Sequence, residues 1–134
     1  ELAFALTLDG LRKVTKSHSD VMKNGNWDFE NFMGKQIKDL NIGVIGYGRL
    51  GRIYSKMMRD SGARIEILDP RLSFDFETDR KDFLTNASDF DVISLHLHAE
   101  GNEKFIDENF FSAFRNDMVL PLHAPPCNHN TFAM

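Results

Sequence analysis

Cysteine occurs once, at Cys127, in a chain of 134 residues. No internal disulfide framework can therefore form. A lone thiol fits a reducing compartment, and the expected setting is the cytoplasm. Positive charge is also short: 16 Lys and Arg face 20 Asp and Glu, a formal net charge of -4. Nucleic-acid binding needs a basic face to meet phosphates, so this balance argues against such a partner. No apolar run approaches the roughly 18 residues of a membrane span. No repeat or low-complexity tract is visible either. The opening "ELAFALTLDG" is apolar, but no basic region precedes it, no small-residue cleavage site follows it, and it has no initiator methionine. It reads as an internal helix of something longer rather than as a signal peptide.

What is present is an ordinary globular balance, 42% hydrophobic and 27% charged. The length suits one domain, which buries roughly two thirds of the surface of its unfolded chain. Residues 2 to 23 read as one long helix, with Phe4, Leu8, Leu11 and Val14 at spacings of three and four and Gly25 as C-cap. Residues 26 to 40 read as an irregular connector around Trp27 and Gly34. "NIGVIG" is a buried strand, "RLGRIYSKMMRDSG" a helix burying Leu50, Ile53, Tyr54 and Met57, and "RIEILD" a second strand. "SFDF" is a short third strand, residues 79 to 87 a helix, and "DVISLHL" a fourth strand. Asp107 caps a helix that turns Phe110, Phe111 and Phe114 inward, and "MVLPL" is a fifth strand. Pro121 inside that strand marks it as an edge.

Strands alternating with helices predict an α/β fold, a Rossmann-type doubly wound parallel sheet of about five strands preceded by a long N-terminal helix. Right-handed crossovers give the order 3-2-1-4-5, with a ligand crevice at the carboxyl ends of strands one and four.

The turn at that crevice is "GVIGYGRLGR", with Gly46, Gly48 and Gly51 in G-x-G-x-x-G order. A strand precedes it and a helix follows it, the context that a dinucleotide fingerprint requires. Gly46 permits the sharp exit from the strand, Gly48 lets backbone approach a pyrophosphate, and Gly51 lets the helix pack closely. The helix N-terminus offers N–H groups and partial positive charge to the phosphates. Asp69 ends the second strand, 18 residues after Gly51, where a carboxylate can accept ribose hydroxyls and repel a 2′-phosphate. This favours NAD over NADP, although Arg71 pulls the other way. The competing account is a tight structural turn and a carboxylate that merely caps a strand.

His96 and His98 alternate along a strand and point to opposite faces, so they cannot share one ligand through their side chains. Their H-x-H spacing is therefore no metal site, and none is expected from His123 and His129.

"IGVIGYGRLGRI", "EILDP" and "SDFDVISLHLH" together resemble the nucleotide-binding domain of the D-isomer-specific 2-hydroxyacid dehydrogenases, the phosphoglycerate dehydrogenase-like family. The upstream "ELAFALTL", "GNW" and "GKQIKDLNIG" agree, and the likeness covers residues 1 to about 120. It implies an NAD-binding domain over 1–120, with 1–25 its leading helix, an atypical tail at 121–134, and no substrate domain. By position, Arg49 and Leu50 would serve the pyrophosphate, Asp69 the adenosine ribose, and Pro70 and Arg71 the adenine. His96, Leu97 and His98 would line the cofactor cleft, where the family usually has proline in place of His98. Asn102 stands near the place of a phosphate-facing threonine.

The resemblance implies hydride transfer between NAD and a 2-hydroxy or 2-keto acid in an intact, homo-oligomeric (dimeric) parent. This chain shows none of the family's catalytic residues: no arginine in an N-[TS]-x-R-G context follows the fifth strand, and no carboxylate–histidine pair comes later. His123 has no visible orienting partner. The expectation is an inactive fragment, truncated or read out of frame. The alternative is an NAD-sensing binding module like the corepressors of the same fold.

Overall fold

The computed structural model describes residues 1–26, 28–97 and 108–121. Trp27, His98, Asn102, Asp107, Cys127 and the histidines of the tail lie outside these residues.

Three parallel strands form the sheet: β1 (Asn41–Ile45), β2 (Arg64–Leu68) and β3 (Val92–Leu95), in the order β2-β1-β3. Register runs Ile42 beside Ile65 and Val92, and Ile45 beside Leu68 and Leu95. In β1 the side chains alternate between two apolar cores. Ile42 and Val44 join Leu40, Tyr54, Met58, Ala63 and Val92 on one face. Ile45 joins Leu68, Phe83, Phe90, Ile93, Phe110 and Phe114 on the other. A strand buried on both faces reads as a continuous apolar run, as "NIGVIG" does. Ile42, Val44, Ile45 and Ile93 are fully buried, each contributing roughly 1.5–3 kcal/mol.

Helices cover both faces. α1 (Leu2–Arg12) and α4 (Arg49–Asp60) pack on the first; α5 (Phe76–Thr85) and α6 (Glu108–Ser112) pack on the second. The remaining helices are α2 (Val14–Asn24) and α3 (Phe29–Phe32), with 3₁₀ turns at Ile37–Asp39 and Ala87–Asp89.

The single helix expected over residues 2 to 23 is two helices. Lys13 sits in the left-handed region at φ 52°, ψ 38°, and its N–H bonds the Asp9 carbonyl. The Asp9 carboxylate then accepts from the N–H of Thr15 at 2.7 Å and its hydroxyl at 2.9 Å. One aspartate thus closes the first helix and caps the second, a local competition that apolar spacing does not register.

The strand expected at "SFDF" is a bend running into α5. Asp75 caps that helix by accepting from the Thr78 N–H and hydroxyl, and Phe74 is fully exposed, with no core for a strand face to meet. Of "MVLPL", the described residues 118–121 form a parallel bridge, between Val119 and Val92. The Ile93 N–H bonds the Val119 carbonyl at 3.0 Å, and the Val119 N–H bonds the Asp91 carbonyl at 2.9 Å. Pro121 has no N–H to extend such a ladder. Among the described residues the sheet therefore has three strands and one flanking bridge rather than five strands. The relative order of the first, second and fourth expected strands is as read.

α4 buries a face that shares only Tyr54, as a fully buried residue, with the expected one. Leu50 and Ile53 are 59% and 47% exposed, whereas Gly51, Tyr54, Ser55 and Met58 are buried. The small residues Gly51 and Ser55 let the helix lie close to the sheet, and this close approach, not the count of apolar side chains, selects the inward face.

Candidate functional site

The glycine turn leaves β1 at the carboxyl end of the sheet. Gly46 has φ +90°, a region that disfavours side chains. A Cβ there would lie 2.8 Å from the carbonyl carbon of His96. A Cβ on Gly51 would lie 2.1 Å from the Gly46 carbonyl oxygen. Both glycines are needed by the fold, for they let α4 and β3 close on the turn. Gly48 differs: its backbone is extended at φ −70°, and a Cβ there would meet nothing within 4 Å. The fold has no use for glycine at that position.

Gly48 is the N-cap of α4, and the Arg52 N–H bonds its carbonyl at 3.0 Å. The N–H groups of Arg49, Leu50 and Gly51 open the helix and have no intrahelical acceptor by geometry. Gly48, Arg49 and Leu50 are exposed. An exposed helix start with its dipole's positive end outward and no side chain at its cap can receive a phosphate.

Asp69 follows β2 and is 5% exposed. One carboxylate oxygen accepts from the Tyr47 N–H at 2.5 Å, the other from the Arg71 N–H at 2.7 Å. The second bond is an Asx turn that carries the chain through Pro70. The first binds the end of β2 to the glycine turn. A carboxylate has about four acceptor positions, so two remain for further donors.

His96 and Leu97 close the site from β3. The His96 N–H bonds the Ile45 carbonyl at 2.7 Å, and its Cβ would lie 3.5 Å from a Cβ on Gly51. Gly46, Gly48, Arg49, Leu50, Gly51, Asp69, His96 and Leu97 are thus gathered at one end of the sheet, with Pro70 and Arg71 beside Asp69. His98 and Asn102 lie outside the described residues.

The sequence reading missed the groups that brace this site. The Arg52 Nε donates to the Tyr47 carbonyl at 3.1 Å, and its guanidinium stands 5.5 Å from the Tyr47 ring centroid. Buried polar groups also pair beneath the site. The Thr7 hydroxyl donates to the Ala3 carbonyl at 2.8 Å and stands 2.9 Å from the Tyr54 hydroxyl. The Ser94 Oγ lies 2.9 Å from the His96 Nε2. Burial pushes the Tyr54 phenol above its ordinary pKa, with the bond to Thr7 acting against the rise. The available signal was a threonine inside an apolar helix and a serine inside an apolar strand.

A groove of about 630 Å³ lies elsewhere, among the N-terminal helices, lined by residues including Asp9, Lys13, Lys16, Asp20, Lys23 and Phe32. None of the gathered residues lines it. Among the described residues no cluster could hold a metal ion, and no helix is long and apolar enough to cross a membrane.

Residues 4–121 match the family described as "D-isomer specific 2-hydroxyacid dehydrogenase, NAD binding domain". A 2-hydroxyacid dehydrogenase A from Aspergillus oryzae is 31% identical over 126 residues, 90% of this chain and 35% of that protein. A D-2-hydroxyacid dehydrogenase (NAD+) from Lacticaseibacillus paracasei is 28% identical, over 100% of this chain and 41% of its own. The structure of a D-2-hydroxyisocaproate dehydrogenase superposes with a TM-score of 0.71 at 25% identity, covering 88% of this chain and 37% of the other. The chain therefore spans well under half the length of these relatives.

Proposed function

The chain belongs to the family of NAD binding domains of the D-isomer-specific 2-hydroxyacid dehydrogenases, and we propose that its glycine turn seats the pyrophosphate of NAD. Gly48 carries this reading. Its glycine is unexplained by packing or backbone, but a pyrophosphate lying on the cap would occupy the space that a side chain would fill. The opening N–H groups of α4 oppose the phosphate charge. Asp69 accepts the adenosine ribose hydroxyls through its remaining acceptor positions, and its charge disfavours a 2′-phosphate. Pro70 and Arg71 flank the adenine, while Arg49 and Leu50 serve the pyrophosphate. His96 and Leu97 line the cleft toward the nicotinamide half, with His98 and Asn102 continuing it.

The cofactor, when bound, supplies a hydride acceptor or donor. In an intact parent, that chemistry interconverts a 2-hydroxy acid and its 2-keto acid. The residues gathered here bind and orient; among the described residues none is placed as an acid or base toward substrate. The isolated chain should therefore be inactive. A five-stranded sheet in 3-2-1-4-5 order belongs to this proposal only for the intact parent, since residues 73 to 76 form no strand here. A cytoplasmic setting and a homodimer belong to it as well. Leu2, Val14, Met22, Phe29 and Met33 are large apolar side chains exposed on or beside α1 to α3, which supports self-association.

Calorimetric titration with NADH tests the reading. The wild-type chain should bind saturably, in the millimolar range if half the contacts are lost, around 4 kcal/mol. Gly48→Val should weaken binding at least tenfold at an unchanged melting temperature, because its Cβ displaces no protein atom. A folded wild type that binds nothing, or a variant that binds as well, overturns the proposal.

A further inference from the structure

Gly48 gains room for a ligand by having no side chain, and it loses restraint by the same means, since glycine has the widest choice of backbone conformations. Its restraint must come from outside the residue. A peptide unit is a rigid trans plate, in which each N–H points opposite the carbonyl before it. Holding the carbonyls of Tyr47 and Gly48 therefore fixes where the N–H groups of Gly48 and Arg49 point. One residue holds both. The main-chain N–H of Arg52 bonds the Gly48 carbonyl at 3.0 Å, and its side-chain Nε donates to the Tyr47 carbonyl at 3.1 Å. The first bond is the ordinary opening bond of a helix, which any residue but proline makes. The second depends on the side chain at position 52. The same guanidinium stands 5.5 Å from the Tyr47 ring centroid, within reach of cation–π attraction. From the other side, Asp69 holds the Tyr47 N–H at 2.5 Å. Tyr47 is thus gripped at its N–H, its carbonyl and its ring, by residues that come from the end of β2 and the start of α4.

We propose that Arg52 is a positioning residue, whose side chain sets the Tyr47–Gly48 peptide so that the turn meets the pyrophosphate with its N–H groups already aimed. The consequence for binding rests on the NAD reading above; the bracing of the peptide does not. The rival role for a cation at this place is a direct ion pair with the phosphates. The geometry favours the brace, because the Nε is engaged by the Tyr47 carbonyl and the guanidinium lies over the ring of the same residue.

A pair of substitutions separates the two roles. Arg52→Gln places an amide nitrogen as far along the side chain as Nε and removes the charge. Arg52→Met keeps the length and has neither donor nor charge. Arg52 is exposed, so neither change opens the core. Nitrogen-15 relaxation of the cofactor-free 134-residue chain reads the brace directly. The Gly48 N–H should be as ordered as the body of α4 in the wild type and in Arg52→Gln, with an order parameter of about 0.85, and should fall toward about 0.6 in Arg52→Met. Unchanged order in Arg52→Met overturns the proposal. NADH titration of the same samples reads the consequence. Arg52→Met should bind roughly fivefold more weakly, the share of one hydrogen bond, and Arg52→Gln within about twofold of the wild type. Equal losses in both variants that shrink as salt rises would make Arg52 a charge for the phosphates and overturn the positioning role. A loosened Gly48 with unchanged affinity in Arg52→Met overturns the link to binding. A wild type that binds no NADH refutes the cofactor reading, while the relaxation data still decide the brace.

Discussion

Two aspartates stand at opposite ends of the same parallel sheet, almost equally buried: Asp91 at 6% exposure and Asp69 at 5%. Their partners differ. At the amino end, one oxygen of Asp91 accepts from Lys35 Nζ at 2.5 Å and from Arg115 at 3.4 Å, and the other accepts from the Asn41 N–H at 3.0 Å. The carboxylate thus fastens the start of β1 to the start of β3, with two cations opposite its charge. At the carboxyl end, Asp69 accepts only from the backbone N–H groups of Tyr47 and Arg71, and among the described residues no cation pairs with it. Its charge is held by backbone dipoles. The same side chain at the same burial meets two cations at one end of the sheet and only backbone N–H groups among the described residues at the other.

The comparison is broken most severely by Asp91→Ala, which leaves the Asn41 N–H without its carboxylate. The expected loss is about 1.5–3 kcal/mol by chemical denaturation, with NADH affinity per folded molecule unchanged within about twofold, as the change lies at the far end of the sheet. The pH dependence follows from the shift. Burial acts to raise the Asp91 pKa, but the bonds from Lys35 and the Asn41 N–H and the charges of Lys35 and Arg115 outweigh it and hold it below the ordinary 3.8. A depressed folded-state pKa contributes stability that is present above the unfolded value and lost as pH falls through the folded one. Acid should therefore remove this contribution below about pH 4, and Asp91→Ala should flatten that limb of the stability curve. A variant as acid-sensitive as the wild type would show that Asp91 is not the group titrating.

Asp69→Ala should act on binding instead. On the proposed reading, in which the carboxylate accepts ribose hydroxyls and repels a 2′-phosphate, the wild type should prefer NADH to NADPH by roughly tenfold, about 1.4 kcal/mol. The variant should lose most of that preference through weaker NADH binding, leaving Arg71 to meet the phosphate. Equal wild-type affinity for both cofactors would show that Asp69 serves only to tie Tyr47 and Arg71 in place, and would make the two ends of the sheet more alike than proposed.

What could be read from the sequence follows the range of the interactions. The glycine turn was legible because strand, turn and helix are neighbours in the chain, and Gly46 and Gly51 answer clashes within a few residues or with the adjoining strand. The pairing of β1 with β2 and β3 followed from the alternation of strands with helices and the right-handed crossover rule. The break at Lys13 was missed because Asp9 competes with the helix through two short bonds that no periodicity displays. The inward face of α4 was misjudged because its apolar side chains were counted, while the absence of a side chain at Gly51 decides how close the helix lies. "SFDF" has the alternation of a strand, but Asp75 starts a helix there and Phe74 has nothing to cover. The Thr7–Tyr54 contact joins residues 47 apart, and only the fold brings them together.

The smallest effect should come from Lys35→Met, which sharpens the account of the amino end. Lys35 keeps a side-chain exposure of 56%, so its bond to Asp91 is made largely in water. An exposed pair of this kind contributes about 0.2–1 kcal/mol, and less as salt rises. Arg115 lies 3.4 Å from the same oxygen and can approach once the lysine is gone. The loss from Lys35→Met should therefore fall well below that from Asp91→Ala and shrink further in high salt. The carboxylate would keep its bond to the Asn41 N–H, so its pKa should rise only part of the way to the ordinary value. Denaturation of both variants at low and high ionic strength decides the matter. If Lys35→Met costs as much as Asp91→Ala in high salt, the ion pair rather than the backbone bond fastens β1 to β3, and the contrast with Asp69 becomes one of cations alone.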